Sequence, residues 1–252
     1  MSIDLNADVG ESFGAWRLGE DAELIPLVSS INVACGFHAG DPLVIERTIA
    51  LAVAGGAGVG AHPGYPDLPG FGRRDLDMAP AELEAAILYQ VGAVAAFAAA
   101  AGAELRHVKP HGALYHRASR DEAIAGAVVR GVARFSHGLI VVGLPGSVLI
   151  GAARAAGLAT AGEGFADRAY EADGALRSRR HADALIADPG RAGDQAVAIA
   201  RDGRATAIDG ASIDVRADTI CVHGDEPGAA GRGRDVRAAL EAAGVAIVAL
   251  GR

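Results

Sequence analysis

Short apolar runs that end in glycine- or proline-rich stretches, each with a helix-forming segment behind it, recur along the whole chain. This alternation limits the fold more than any other feature. The run 30–34 predicts a strand leaving through residues 35–42, where Asp41 is placed to cap a helix over 43–54 and Pro42 to start it. Residues 58–61 repeat the pattern, followed by a long loop to Asp77 and a helix from Pro80 to about Ala101. Further strands are expected at 105–108, 139–142, 158–161, 219–222 and 245–250, with helices over 121–135, 146–156 and 234–243. Seven or eight such units running in one direction predict a closed β/α barrel, with an open doubly wound sheet as the alternative. In both, ligands gather at the C-terminal ends of the strands. A single domain over 1–252 is expected, with a less regular excursion at about 172–217 that holds a helix near 191–201 and a small hairpin.

Composition narrows the function classes. With 252 residues and 51% hydrophobic content the chain can bury a large core. A net charge of -8 argues against a nucleic-acid surface. Cys35 and Cys221 lie far apart in apolar runs, which suits buried thiols rather than a disulfide, so a cytoplasmic location is the expectation. The apolar stretch 95–101 is a small-residue helix with polar flanks, and the N-terminal residues show no charged-then-apolar leader pattern, so no membrane association is expected.

The chemistry-bearing residues fall at the strand ends. Asp4, Asn6 and Asp8 alternate along the first strand and so share one face, with Glu11 just beyond. A row of buried polar groups calls for a cleft, a cation or hydrogen-bond donors beside it; capped-turn chemistry is the plainer alternative. His38, His62, His111 and His223 each follow an apolar strand and would meet at one rim if the strands are parallel. Imidazole with carboxylate suits a divalent metal, for which Asp8, His38 and His62 are the candidate ligands, and equally suits metal-free acid–base chemistry. Lys109 is the one lysine in a chain otherwise using arginine, which suggests that a compact ammonium is needed there. The loop 65–74 holds Arg73 and Arg74 and reads either as a rim lid that binds an acidic substrate or, equally, as an ordinary Ω-loop. The run 228–234 has the glycines of a phosphate cradle, but no G-x-x-x-x-G-K-[ST] motif occurs.

Six blocks carry a further signal: DLNADVGESFG at 4–14, INVACGFHAGDP at 31–42, GAHPGYPDLPGFGRR at 60–74, VKPHGALYH at 108–116, EGFADRAY at 163–170 and VHGDEP at 222–227. Together they resemble the LamB/YcsF family. The resemblance implies a seven-stranded β/α barrel of the glycoside hydrolase/deacetylase type. It also implies cleavage of 5-oxo-L-proline to L-glutamate coupled to hydrolysis of ATP, in a complex with 5-oxoprolinase subunits B and C, with ATP used through the complex. On that footing Asp8, Lys109, His111 and His223 are the expected catalytic residues, and Asn6, Glu11, His38, His62, Arg73 and Arg74 the expected substrate-binding ones. Self-association is a further expectation. The alternatives are a stand-alone metal-dependent deacetylase or amidohydrolase, and a non-catalytic subunit that binds a small acid.

Overall fold

The computed structural model describes every residue except Glu226 and Arg252. Its strands in chain order are β1 Ser2–Val9, β2 Ser30–Ala34, β3 Gly58–His62, β4 Leu105–Val108, β5 Ile140–Gly143, β6 Ala159–Phe165, β7 Arg204–Thr206, β8 Ser212–Asp214, β9 Thr219–His223 and β10 Ala246–Ile247. Among the described residues β1 to β6 lie side by side in sequence order, all parallel, and β9 pairs with both β6 and β1. That closure makes a seven-stranded barrel and excludes the open sheet. The antiparallel hairpin of β7 and β8 is carried outside the ring. β10 pairs only with Ser2 and Ile3, because β9 occupies the same edge of β1 from Asp4 onward. The expected strand over 245–250 is shortened accordingly.

The helices are α1 Asp21–Leu24, α2 Pro42–Gly55, α3 Pro80–Ala100, α4 Gly112–Ala118, α5 Glu122–Phe135, α6 Val148–Ala155, α7 Pro189–Asp202 and α8 Ala229–Ala242. Strand alternation sends Leu5, Ala7 and Val9 toward these helices and Asp4, Asn6 and Asp8 into the ring. Asp41 caps α2 as its sequence predicts, accepting from the Leu43 and Val44 amides at 2.9 and 3.0 Å. α3 has the length and apolarity of a membrane span, yet its Leu83, Ile87, Val91 and Val94 are buried and its Gln90 side chain exchanges hydrogen bonds with the backbone of Gly64. It is packed as a wall of the barrel.

Two glycine-rich segments differ from their sequence reading for one reason. β6 continues past Ala161 to Phe165, and a Cβ on Gly164 would lie 2.9 Å from Ile199 Cγ2 of α7. α8 begins at Ala229 and absorbs the run expected to cradle phosphate; a Cβ on Gly233 would lie 2.7 Å from Leu24 Cδ1. In both segments glycine allows close approach of a neighbouring element and does not end one. The start of α8 is moreover occupied by the Glu20 carboxylate, which accepts from the amides of Gly228 and Ala230.

Candidate active site

The barrel interior is polar from its floor to its rim. On the floor Asp4 accepts from Ser29 and Ser30 at 2.7 Å and from Thr219 at 2.5 Å. Burial pushes its carboxyl upward, and these hydroxyls counter that push. One layer up, Asn6 donates to Thr219 and Glu163 and accepts from Asn32, which also donates to Asp8 at 2.8 Å. His107 completes the layer through Nε2 to Asn32 Oδ1 at 2.8 Å; burial and the Lys109 charge hold it down to about 3, so the ring is neutral. Its imidazole lies across β3 where residue 60 has no side chain, and any Cβ there would collide with it. Asn6 does not line the cavity above. It supports the groups that do, from a place below the one its substrate-binding assignment expects.

Lys109 ties the layers together. Its ammonium donates to Asp8 Oδ1 at 2.8 Å, Glu163 Oε1 at 2.7 Å and Cys221 Sγ at 3.1 Å. Burial would lower this amine, but Asp8, Cys221 and Glu163 outweigh it and hold the group well above its usual value. In this arrangement its three protons are spent on three partners, so Lys109 holds Asp8 and Glu163 while lining the cavity where its catalytic role is expected. Asp8 in turn stays well below the ordinary carboxylate range: burial raises it, and the charges of His62 and Lys109 prevail.

At the rim the histidines pose a proton-counting problem. His62 Nδ1 lies 2.7 Å from the Lys109 carbonyl oxygen and His111 Nε2 lies 2.8 Å from that of Phe71. A carbonyl only accepts, so both of these nitrogens carry hydrogen. The other two, His62 Nε2 and His111 Nδ1, are bare in neutral rings, yet they face each other at 3.0 Å. Asp8 Oδ2 is 3.3 Å from the first and Glu11 Oε1 is 3.8 Å from the second. Four acceptors that converge in this way need a proton or a cation among them: a proton on an imidazole or on the Glu11 carboxyl, or a metal ion. Burial, Asp225 and Asp8 push the Glu11 carboxyl well up, which favours its protonated form.

His38 stacks flat on His111 with ring centroids 3.8 Å apart, is fully buried, and makes no hydrogen bond through either nitrogen. Ligand atoms of Glu11, His38 and His111 lie within 4.8 Å of one another, as do those of Asp8, Cys221 and His223. The first group fits a divalent cation: two imidazoles and a carboxylate, one imidazole unpartnered. The second does not, because burial keeps the Cys221 thiol protonated and the Lys109 ammonium already touches its sulfur. Of the expected ligands, Asp8 and His62 approach each other while His38 belongs with Glu11 and His111. His38 lies behind His111, outside the cavity lining.

Across the rim stands His223, whose Nδ1 lies 2.8 Å from Asp167 Oδ1 and whose backbone amide donates to Asp167 Oδ2 at 3.0 Å. Burial opposes ionisation of Asp167, but the His223 and Arg232 charges and these hydrogen bonds keep it an anion. The pairing fixes the proton on Nδ1 and leaves Nε2 as the reactive nitrogen. Asp8, Glu11, His62, His111 and His223 all line one cavity of about 900 Å³. Arg73 also lines it, paired with Asp225. Arg74 does not: its guanidinium, largely exposed, is tied to the buried Asp67 within its own loop, away from the cavity where its substrate-binding role is expected. Sequence reasoning missed Asp167, Glu163, Asn32 and Asp225. The first two lie in or just past the part of β6 whose glycines suggest a loop. The signal that could have found Glu163 is its alternation with Phe165 and Ala161.

The comparisons with known proteins settle the family. The LamB/YcsF family model matches residues 3–252. The chain belongs to the LamB/YcsF family. It is 58% identical over 247 residues to a protein of Chloroflexus aggregans named as the A subunit of 5-oxoprolinase, covering 98% of each chain. A relative in Heliobacterium modesticaldum with the same name is 51% identical over 249 residues, covering 99% of this chain and 98% of its own. The crystal structure of the lactam utilization protein from Thermus thermophilus superposes with a TM-score of 0.94 at 49% identity, over 99% of this chain and all of that one. Of the residues in the blocks noted above, Asp8, His62, Lys109 and His223 line the cavity and Asp167 holds His223.

Proposed function

We propose that this family member is the A subunit of an ATP-dependent 5-oxoprolinase, opening the γ-lactam of 5-oxo-L-proline to L-glutamate in a multi-subunit complex with subunits B and C. The observation that carries the reading is the pair of proton-handling centres on opposite walls of one cavity: His223 held by Asp167, and His111 with His62 beside the proton-bearing Glu11. The names of the relatives supply the substrate. A lactam is a poor electrophile, since amide resonance protects its carbonyl and its nitrogen leaves badly. Transfer of the γ-phosphoryl group of ATP to the carbonyl oxygen forms an O–P bond, releases ADP and costs the ring nitrogen its proton. With no P-loop motif in this chain, that step is assigned to the complex.

Water then adds to the activated carbon and gives its proton to His223 Nε2. Nitrogen takes one proton from the Glu11–His111 side and the added hydroxyl's proton as the C–N bond breaks with its electron pair going to nitrogen, leaving γ-glutamyl phosphate with a free amine. A second water displaces phosphate, so that one lactam, one ATP and two waters give glutamate, ADP and phosphate. Arg73 is placed to hold the substrate carboxylate. In the metal-bound alternative Glu11, His38 and His111 would hold a divalent cation in place of that proton, and the cation would supply the positive charge for the rim's converging acceptors.

Glutamate and ADP formation from 5-oxoproline and ATP tests this reading, with the chain alone, with B and C alone, and with all three. Turnover is expected only in the full mixture. An inactive mixture, together with metal-dependent deacetylation of an acetylated sugar by the lone chain, would overturn it in favour of the metal-hydrolase reading that the Glu11, His38 and His111 group also suits.

A further inference from the structure

The cavity is far larger than the proposed lactam needs, and the surplus is lined in a way the acid–base groups do not explain. Beyond His111 and His223 its wall is made by Arg168, Arg179, Arg120, Arg180 and His116. Arg168 is buried to 3% exposure, an unusual place for a guanidinium. Its Nε and one terminal nitrogen are held by the carbonyl oxygens of Ala184 and Arg177, and the carboxylate acting on it, Asp167, is itself paired with His223. Asp225 faces the same space but is engaged by both Arg73 and Arg179. Asp214, also on the wall, pairs with Arg204, and Asp173 accepts from the Ala175 amide. Among the described residues no salt bridge joins Arg168 or Arg120 to a carboxylate, in a chain whose net charge is -8.

These cations also act on one another. Burial and the nearby Arg179 lower Arg168 to about 10, and burial with Arg168 and Arg120 lowers His116 to about 4. Cations crowded in a partly closed space at a cost to their own ionisation are a preorganised receptor for an anion of more than one charge. The substrate carboxylate carries one charge and needs one guanidinium. A phosphoryl group carries up to two, with oxygens for several donors.

We infer that the wall formed by Arg168, Arg179, Arg120 and His116 is a phosphoryl subsite, which receives the activated lactam by the phosphate on its former carbonyl oxygen. This rests on the oxoprolinase reading for the identity of the carrier, though not for the anion. It makes this chain selective for activated substrate: the bare lactam meets the acid–base groups without the contacts that seat it. Phosphate released at the end of the cycle occupies the same wall.

Titration of the intact chain with inorganic phosphate, with ADP and ATP as separate arms, tests this by calorimetry and by the NMR midpoint of His116. Phosphate is expected to bind in the millimolar range and to raise the His116 midpoint, since it relieves the cationic crowding. R179Q and R120Q should each weaken phosphate binding several-fold; R120Q is the variant to rely on if loss of the Asp225 contact disturbs folding in R179Q. Absence of phosphate binding, or binding unchanged in both variants, would overturn the subsite. So would ATP binding the lone chain far more tightly than phosphate, since the wall would then serve a nucleotide. If phosphate binds as expected while the three-subunit mixture ignores 5-oxoproline, the subsite stands and the carrier is another phosphorylated amide. If the mixture turns over and phosphate neither binds nor inhibits, the function stands and the subsite falls.

Discussion

The floor and the rim of this barrel are built from the same residue types and behave differently. On the floor Asp4, Asn6, Asn32 and Lys109 close their hydrogen bonds on one another and on neighbouring hydroxyls, with His107 Nδ1 and Glu163 Oε2 beside them left unpartnered. At the rim His62 and His111 turn bare nitrogens toward each other and toward Asp8 and Glu11, His38 has no partner, and the His223 Nε2 opens on the cavity. A satisfied polar network fixes geometry, whereas an unsatisfied one holds the capacity to bind or to move a proton. Lys109 marks the boundary, because it completes the lower network and sets the charge of Asp8 in the upper one.

The sharpest way to break this contrast is Lys109→Met. Asp8 and Glu163 would be left as buried carboxylates without their cation, which costs about 3–5 kcal/mol; urea denaturation should show it, together with loss of turnover in the reconstituted complex. Lys109→Arg should not restore either, since a planar fork cannot direct donors at three converging partners. Asp167→Asn should act on the rim alone. The ring of His223 loses its tautomer control, so kcat should fall by about 10²–10⁴, while the melting transition moves little. Smaller again is the effect of acid through His116. Its folded value of about 4 lies below the ordinary histidine value of 6.5, so the unfolded chain binds more protons between them and stability falls as pH drops through that window. His116→Gln should make the fall shallower in denaturation curves recorded from pH 7 to 4. Least affected should be Arg74→Gln, whose guanidinium serves only its own loop: KM for 5-oxoproline should hold, and a clear rise would return Arg74 to the substrate.

How much of this could be read from the chain depends on whether the cause is local. The strand exits carrying His38, His62, His111 and His223 were legible, since a cap such as Asp41 with Pro42 is written in adjacent residues. The closed parallel barrel was legible for the same reason, as a sum of local units. Glu163 and Asp167 were not, because Gly162 and Gly164 look like turn formers unless one knows that α7 presses against β6. The roles within the rim were also hidden. That Lys109 is saturated, and that Arg74 is engaged by Asp67, depends on partners brought together only by the closed ring or by the folding of a loop. Which imidazole nitrogen bears hydrogen follows from the carbonyls of Lys109 and Phe71, and no sequence pattern marks them.

The solitary lysine has a practical corollary. Lys109 is 2% exposed and enclosed by carboxylates, so reagents that acylate or cross-link lysine side chains find nothing to react with on the surface of this folded sequence. In a mixed assembly, every lysine so modified belongs to another chain. A lysine placed by mutation at a chosen surface position would therefore be a unique handle, able to report through a single chemical bridge which neighbour lies over that point.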